Sequence, residues 1–139
     1  MKANELQIGD LVFVGGSPRK VCSITKKKIG YHREEYASRL FYARMYEVSP
    51  IHLTAEILEK NGFEKWSAQY RYRVLKPNTT IDKSVHFTLM KDGEHICEIR
   101  NYNGTHAEPR YYSVVRHIHE LQRALRCCVL NELADSLKV

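Results

Sequence analysis

Residues 53–63 read LTAEILEKNGF, and this stretch predicts one complete short helix over about residues 55–60. Thr54 is a typical N-cap residue, because its hydroxyl can accept a hydrogen bond from a first-turn amide that lacks a partner inside the helix. Leu53 and Leu58 occupy the two positions of a hydrophobic staple, on either side of that cap. The beginning of the helix is therefore specified by adjacent residues.

The end of the same helix is specified equally well. Gly62 stands at the position where many helices end with one left-handed residue, which glycine adopts without steric cost. Phe63 can then fold back over Leu58, as in a Schellman ending. We expect a positive φ at Gly62 and a buried Leu58 packed against Leu53 and Phe63.

The segment before this helix predicts a small, strongly curled antiparallel sheet. Four short apolar runs at residues 11–14, 19–24, 29–32 and 41–48 are separated by turn residues, including Gly15-Gly16, at spacings typical of small barrels. The opening Gly9-Asp10-x-Val12-x-Val14 resembles SH3-like barrels. These barrels carry many unrelated functions, so the resemblance implies no activity.

The segment after the helix predicts an antiparallel meander over residues 70–75, 85–90 and 94–102. A two-residue turn at Asp92-Gly93 would place Phe87 opposite Glu98. A three-residue loop beginning at Lys91 places Phe87 opposite Cys97 instead, so that apolar side chains share one face. We therefore expect the three-residue loop, with Gly93 in the left-handed position that such loops favour.

A last strand at residues 111–115 leads into a C-terminal helix from about His117. Its apolar residues form one stripe with helical spacing: Ile118, Leu121, Leu125 and Cys128. A second face carries His119, Gln122, Arg123 and Arg126. Whether residues 129–139 continue the helix is left open by the pattern. The chain is thus predicted to be α+β, with a barrel-like β subdomain at 1–52 and a helix, antiparallel sheet and C-terminal helix at 53–139.

The composition is typical of a globular cytoplasmic protein. Of the 139 residues, 43% are hydrophobic and 27% charged, and no stretch is long and apolar enough to be a membrane span. The first residues lack the apolar run of a signal peptide, and the four cysteines lack the spacing of a metal knuckle or a disulfide framework. We expect cytoplasmic localisation with free thiols, no membrane association and no cofactor.

The positive charge is confined to one segment. Residues 19–44 contain eight of the 22 basic residues and only two of the 16 acidic ones, Glu34 and Glu35, so this segment accounts for the whole formal charge of +6. Such asymmetry is typical of a surface for an acidic partner, either nucleic acid or protein. The alternative is that the lysines and arginines serve solubility and protect strand edges.

Two strings alternate aromatic and basic residues, as on β-surfaces that stack bases and contact phosphates. One contains Tyr42, Arg44 and Tyr46, and the other spans residues 70–73. In the alternative interpretation, Tyr70 and Tyr72 face the core and only the arginines are solvated. The candidate residues for binding nucleic acid or an acidic partner are Lys26, Lys27, Lys28, Arg33, Arg39, Arg44, Arg71 and Arg73.

The histidines give little support for an enzyme or a metal site. His117 and His119 are two positions apart, which on a helix would point their side chains in nearly opposite directions and away from a shared metal. His86 and His95 could approach only diagonally across strands. His119 beside Glu120 could serve acid–base chemistry, but no positioned partner is evident. We therefore predict no catalytic residues and no metal site.

Three blocks of the sequence resemble a family of short uncharacterised proteins from prophages and mobile elements of gut anaerobic bacteria. They are MKANEL-x-IG at residues 1–9, LT-x-EILEKNGF at 53–63 and HELQ-x-x-LR at 119–126. This chain departs from the family in the residues just before His119 and in its longer tail. The resemblance implies a cytosolic accessory protein and no known activity.

Three classes of function follow from these patterns. The first is a non-enzymatic binding module for nucleic acid or an acidic protein. The second is a protein-interaction factor without nucleic acid, which could form homo-oligomers through its apolar tail. The third, with least support, is an unrecognised enzyme.

Overall fold

The computed structural model describes residues 1–75, 81–89, 94–103 and 105–139. It contains two five-stranded antiparallel sheets and three short α-helices, which confirms the α+β class. One sheet lies within residues 11–49 and the other within residues 64–115. The division of the chain into domains at residue 52 stays a prediction.

The N-terminal sheet has the strand order β4-β3-β2-β1-β5. Its strands are β1 (Leu11–Val14), β2 (Ser17–Ile24), β3 (Lys28–Arg33), β4 (Tyr36–Arg44) and β5 (Val48–Ser49). Gly15 and Gly16, with φ of 58° and 76°, form the predicted tight turn between β1 and β2. Because β4 and β5 are the two edges and do not pair with each other, these strands form an open sheet and not a closed barrel.

The C-terminal sheet has the order β10-β9-β8-β7-β6. Its strands are β6 (Glu64–Trp66), β7 (Gln69–Leu75), β8 (Ile81–Leu89), β9 (His95–Asn103) and β10 (His106–Val115). Phe87 lies opposite Cys97 and Val85 opposite Ile99, all four fully buried, so the predicted register is confirmed. The loop over residues 91–93, with the expected conformation of Gly93, lies outside the described residues.

Two parts of this sheet were not predicted. β6 has three exposed residues and so lacks the apolar alternation from which strands are recognised. β10 begins at His106, five residues before the predicted strand, and it contains Pro109. A proline is compatible with this strand because β10 is an edge of the sheet, and a register shift follows immediately after Pro109.

Helix α1 spans Ala55–Lys60, as predicted. The hydroxyl of Thr54 accepts a hydrogen bond from the backbone amide of Ile57 at 3.3 Å. Gly62 has φ of +80°, and the amide of Phe63 donates to the carbonyl of Leu58 at 3.0 Å, which is the Schellman ending. Leu58 is buried in one cluster with Leu53 and Phe63, so the prediction for this segment is confirmed.

Helix α2 spans Ile118–Cys127, and its predicted apolar stripe is buried. The tail does not continue this helix. Val129 has φ of +59°, which reverses the chain, and a separate helix α3 follows at Asn131–Ser136. The amide of Leu130 donates to the carbonyl of Leu125 at 2.9 Å, so α2 also has a Schellman-type ending, with valine at the position that favours glycine.

The two sheets have separate cores that meet at β1. Val12 packs into the core of the N-terminal sheet, together with Val21 and Ile29. Leu11 and Phe13 point the other way and pack against the larger core, which the helices share with the C-terminal sheet. Because alternate residues of a strand face opposite sides, β1 contributes to both cores.

The second face of α2 joins it to the N-terminal sheet. The side-chain amide of Gln122 is buried; its Oε1 accepts from the Leu11 amide at 2.8 Å, and its Nε2 donates to the carbonyls of Gly9 at 3.1 Å and Ala134 at 3.0 Å. Arg126 donates to the fully buried carboxylate of Asp10 at 2.7 Å. The polar face of this helix is therefore an internal contact surface.

A paired substitution tests the two helix endings. Gly62→Val places a β-branched residue at a positive φ and should lower the free energy of unfolding by about 1 kcal/mol or more. Val129→Gly removes the equivalent backbone strain at the end of α2. It should raise the free energy of unfolding by about 1 kcal/mol, since Val129 is exposed and little packing is lost. Urea unfolding of both variants and of Gly62→Asn, which tolerates a left-handed backbone, is the measurement. The prediction would be contradicted by equal losses of unfolding free energy for valine and asparagine at position 62, or by any loss for Val129→Gly.

A second prediction concerns His95, which is 5% exposed and contacts the Leu53 carbonyl through Nε2 at 3.2 Å. Burial lowers the pKa of His95 below its ordinary 6.5, and the hydrogen bond offsets this only in part. The unfolded chain therefore binds the proton at higher pH than the folded chain. Stability contributed by neutral His95 is complete above pH 6.5 and declines as the pH falls from 6.5 towards the folded-state pKa.

His95→Gln keeps a hydrogen-bond donor but cannot titrate. It should flatten the acid decline in unfolding free energy by up to about 1.4 kcal/mol per pH unit, the limit for one proton. The exposed His106→Gln should leave the profile unchanged. Denaturant unfolding from pH 7.5 to 5 measures both, and an unaltered slope in His95→Gln would show that this residue does not cause the acid sensitivity.

Candidate nucleic-acid interface

Three of the predicted lysines lie together where β2 turns into β3. The hydroxyl and backbone amide of Thr25 both bond to Lys28, at 3.1 and 2.8 Å. The amide of Met45 donates to the carbonyl of Lys27 at 3.0 Å, which ties the turn to the end of β4. The backbone of the turn is thus fixed, while the side chains of Lys26, Lys27 and Lys28 are exposed.

Arg44 joins these lysines from the neighbouring strand, because it lies directly opposite Lys28 in the β3–β4 register. The next residues, Met45–Glu47, form a 3₁₀ turn that is capped when the carboxylate of Glu47 accepts from the Arg44 amide at 2.6 Å. This capping interaction holds Glu47 against the backbone. The guanidinium of Arg44 donates to the hydroxyl of Tyr46 at 3.1 Å.

These residues surround a shallow hollow of about 790 Å³, which we call the lysine hollow. It is lined by Met1, Lys26, Lys27, Lys28, Arg44, Met45 and Tyr46. Among the residues that the structure describes, no aspartate or glutamate lines it. Tyr46 is 76% exposed at its rim and Tyr42, two residues before Arg44, is 61% exposed. The hollow therefore combines four cationic side chains with an exposed aromatic ring.

Arg33 and Arg39 lie elsewhere. Their guanidinium carbons lie 4.6 and 5.3 Å from the ring centre of Phe41, at the opposite end of β3 and β4. The five residue-to-residue steps from Lys28 to Arg33 correspond to roughly 17 Å of extended strand. Glu34 and Glu35 occupy the turn at this far end, so the acidic residues of the basic segment are away from the lysine hollow.

Arg71 and Arg73 belong to the other sheet. Both guanidinium groups lie over the ring of Trp66, at 3.6 and 5.7 Å from its centre. Burial lowers the pKa of Arg71, and the neighbouring charge of Arg73 lowers it further. Trp66 is 57% exposed, so the two arginines and the indole form a separate cationic and aromatic patch.

The predicted residues therefore fall into three groups. The first is Lys26, Lys27, Lys28 and Arg44; the second is Arg33 and Arg39; the third is Arg71 and Arg73. The first group surrounds the lysine hollow. Tyr70 and Tyr72 face the core, as the alternative interpretation expected, but Arg71 is covered by Trp66 and is not simply solvated.

Sequence reasoning missed the contributions of Met1 and Met45 to this site. Met45 could have been found from the glutamate three residues after Arg44, the spacing of a capping box that predicts a local turn. No sequence pattern indicated that Met1 lies beside the lysines, because its position depends on how the N-terminal residues pack.

The histidines depart from expectation in one respect. The rings of His117 and His119 stack, with centres 5.5 Å apart and an angle of 17°, so the prediction that they diverge is wrong. His117 is the residue before α2 and has an extended backbone, with φ −131° and ψ 156°. Helical geometry therefore does not apply between the two rings.

Comparison of the chain with protein-family models, with curated proteins and with solved structures finds no match. No α-helix within the described part of the chain is both long enough and apolar enough to cross a membrane.

Proposed function

We propose that the protein is a non-enzymatic module that binds single-stranded nucleic acid at the lysine hollow. The observation that carries this proposal is the position of Lys28 directly opposite Arg44, with Lys26 and Lys27 in the adjoining turn. Four cations around one hollow can contact several consecutive phosphates.

The aromatic residues favour single-stranded nucleic acid over an acidic protein. The exposed ring of Tyr46 lies at the edge of the cationic hollow, where an unpaired base can stack while its phosphate meets Arg44. A duplex keeps its bases stacked on one another and cannot use this ring. An acidic protein would gain from the lysines but has no general need of the tyrosine.

We further propose that the N-terminal sheet is a member of the SH3-like class and that the protein acts in the cytoplasm as an accessory protein of a phage or mobile element. The return of the short β5 beside β1 supports the first proposal. The three sequence blocks that resemble prophage proteins support the second. Neither proposal assigns a partner by itself.

The test compares two double variants with the same change in net charge. Lys27→Glu with Lys28→Glu alters the lysine hollow, whereas Arg33→Glu with Arg39→Glu alters the far end of the same sheet. Binding of a fluorescent 20-nucleotide oligothymidine should weaken at least about tenfold in the first variant and less than about threefold in the second. In the first variant, the log–log salt slope should become shallower by roughly 0.7 for each phosphate that the protein no longer neutralises.

A third variant, Tyr46→Ala, distinguishes nucleic acid from other polyanions. It should weaken oligothymidine binding by about 1–3 kcal/mol, the typical contribution of one stacked base. Binding of inorganic polyphosphate should hardly change, because polyphosphate has no base. Equal weakening by the two charge-reversal variants, or no binding of the oligonucleotide at low salt, would overturn the proposal in favour of a protein-interaction factor.

A further inference from the structure

A second cluster, in a hollow that Met1 also lines, has the character of a metal site. It consists of His117, His119 and Glu120, where the chain enters α2. One ligand atom from each residue lies within 4.8 Å of the other two. None of these residues belongs to the proposed nucleic-acid site.

Each imidazole of the cluster has a buried Nδ1 atom, and that of His119 has no hydrogen-bond partner. The Nδ1 atom of His117 lies next to the Glu120 carboxylate, whereas the Nδ1 atom of His119 makes no hydrogen bond. His119 is only 5% exposed, and it lines a small hollow of about 310 Å³. A buried polar atom without a partner is costly, and a neutral imidazole nitrogen is the commonest protein ligand for transition metals.

The carboxylate of Glu120 is oriented by the backbone. Its Oε2 accepts from the amides of Arg116 at 2.7 Å and His117 at 3.0 Å, so the side chain cannot rotate freely. This leaves Oε1 beside the imidazole of His117, 3.3 Å from its Nδ1. Ligands bonded at about 2.0–2.1 Å in a tetrahedral zinc site are roughly 3.3 Å apart, which matches this separation.

We propose that His117, His119 and Glu120 bind a divalent transition-metal ion of the zinc class, with a coordination position open towards the hollow. Two imidazoles and one carboxylate are a ligand set that suits Zn²⁺ with a further position for water or another ligand. The three ligand atoms lie within 4.8 Å of one another, and rotation of a ring would bring them to the spacing of roughly 3.3 Å that a tetrahedral ion requires.

The charges around the hollow are compatible with a cation. Its lining includes Met1, Glu5, Pro50, His117, His119, Glu120 and Arg123. Arg123 donates to the carbonyl of Glu5 at 2.6 Å, so its guanidinium is held by the backbone. Among the side chains of this lining, with neutral imidazoles, the two carboxylates of Glu5 and Glu120 outnumber the one guanidinium, that of Arg123.

The test uses the full-length protein without a histidine tag. The protein also carries Cys22→Ser and Cys127→Ser, because these substitutions remove the two more accessible thiols as competing ligands. Zn²⁺ affinity is measured by competition with a colorimetric chelator, and Co²⁺ absorption reports the ligand type. His117→Ala and Glu120→Gln should each weaken Zn²⁺ binding at least about tenfold. The glutamine can still accept the two backbone hydrogen bonds, so this variant keeps the helix cap.

His52→Ala is the matched control, since the ring of His52 lies 4.9 Å from that of His117 but is outside the ligand set. It should change the affinity less than about threefold. Imidazole NMR signals of the unaltered protein give an independent readout, in which Zn²⁺ should shift two of the seven histidines, His117 and His119. Unchanged affinity in both ligand variants, or shifts confined to other histidines, would overturn the proposal.

Discussion

The buried side-chain amide of Gln122 holds together parts of the chain that are far apart in sequence. Its oxygen accepts from the amide of Leu11, and its nitrogen donates to carbonyls at Gly9 and Ala134. One residue of α2 thereby fixes the start of β1 and the position of α3. A carboxylate could not donate, and an apolar side chain could do neither, so these backbone groups require an amide.

Both proposed sites depend on this arrangement. With β1 held against α2, the short β5 pairs beside β1, and the following residues cross to the start of α2, where the Ile118 amide donates to the Ile51 carbonyl at 2.9 Å. That crossing places His117 in an extended conformation before the helix, which brings its ring over His119. Met1 lines both the lysine hollow and the hollow beside His119, so the two sites are neighbours.

Local sequence signals predicted what depends on local physics. The caps at Thr54 and Gly62 gave the bounds of α1, and the pairing of Phe87 with Cys97 followed from matching apolar faces. The open N-terminal sheet, the exposed β6 and the role of Gln122 could not be predicted in this way. A glutamine on the polar face of a helix fits the same sequence pattern whether that face is exposed to water or packed against a strand. Only the packing of elements that are distant in sequence distinguishes these two environments. For the same reason, composition located the basic segment but could not separate Lys28 and Arg44 from Arg33 and Arg39.

The most direct measurement for this structure is the unfolding free energy of Gln122→Met, which keeps the size of the side chain but removes its three hydrogen bonds. If the amide joins the N-terminal sheet to the helices, the variant leaves the amide of Leu11 and the two carbonyls without that partner, and urea unfolding should show a loss of at least about 2 kcal/mol. Gln69→Met, at an exposed glutamine of β7, should change the value by less than about 0.5 kcal/mol. A loss in Gln122→Met no larger than in this control would contradict the central role of the amide.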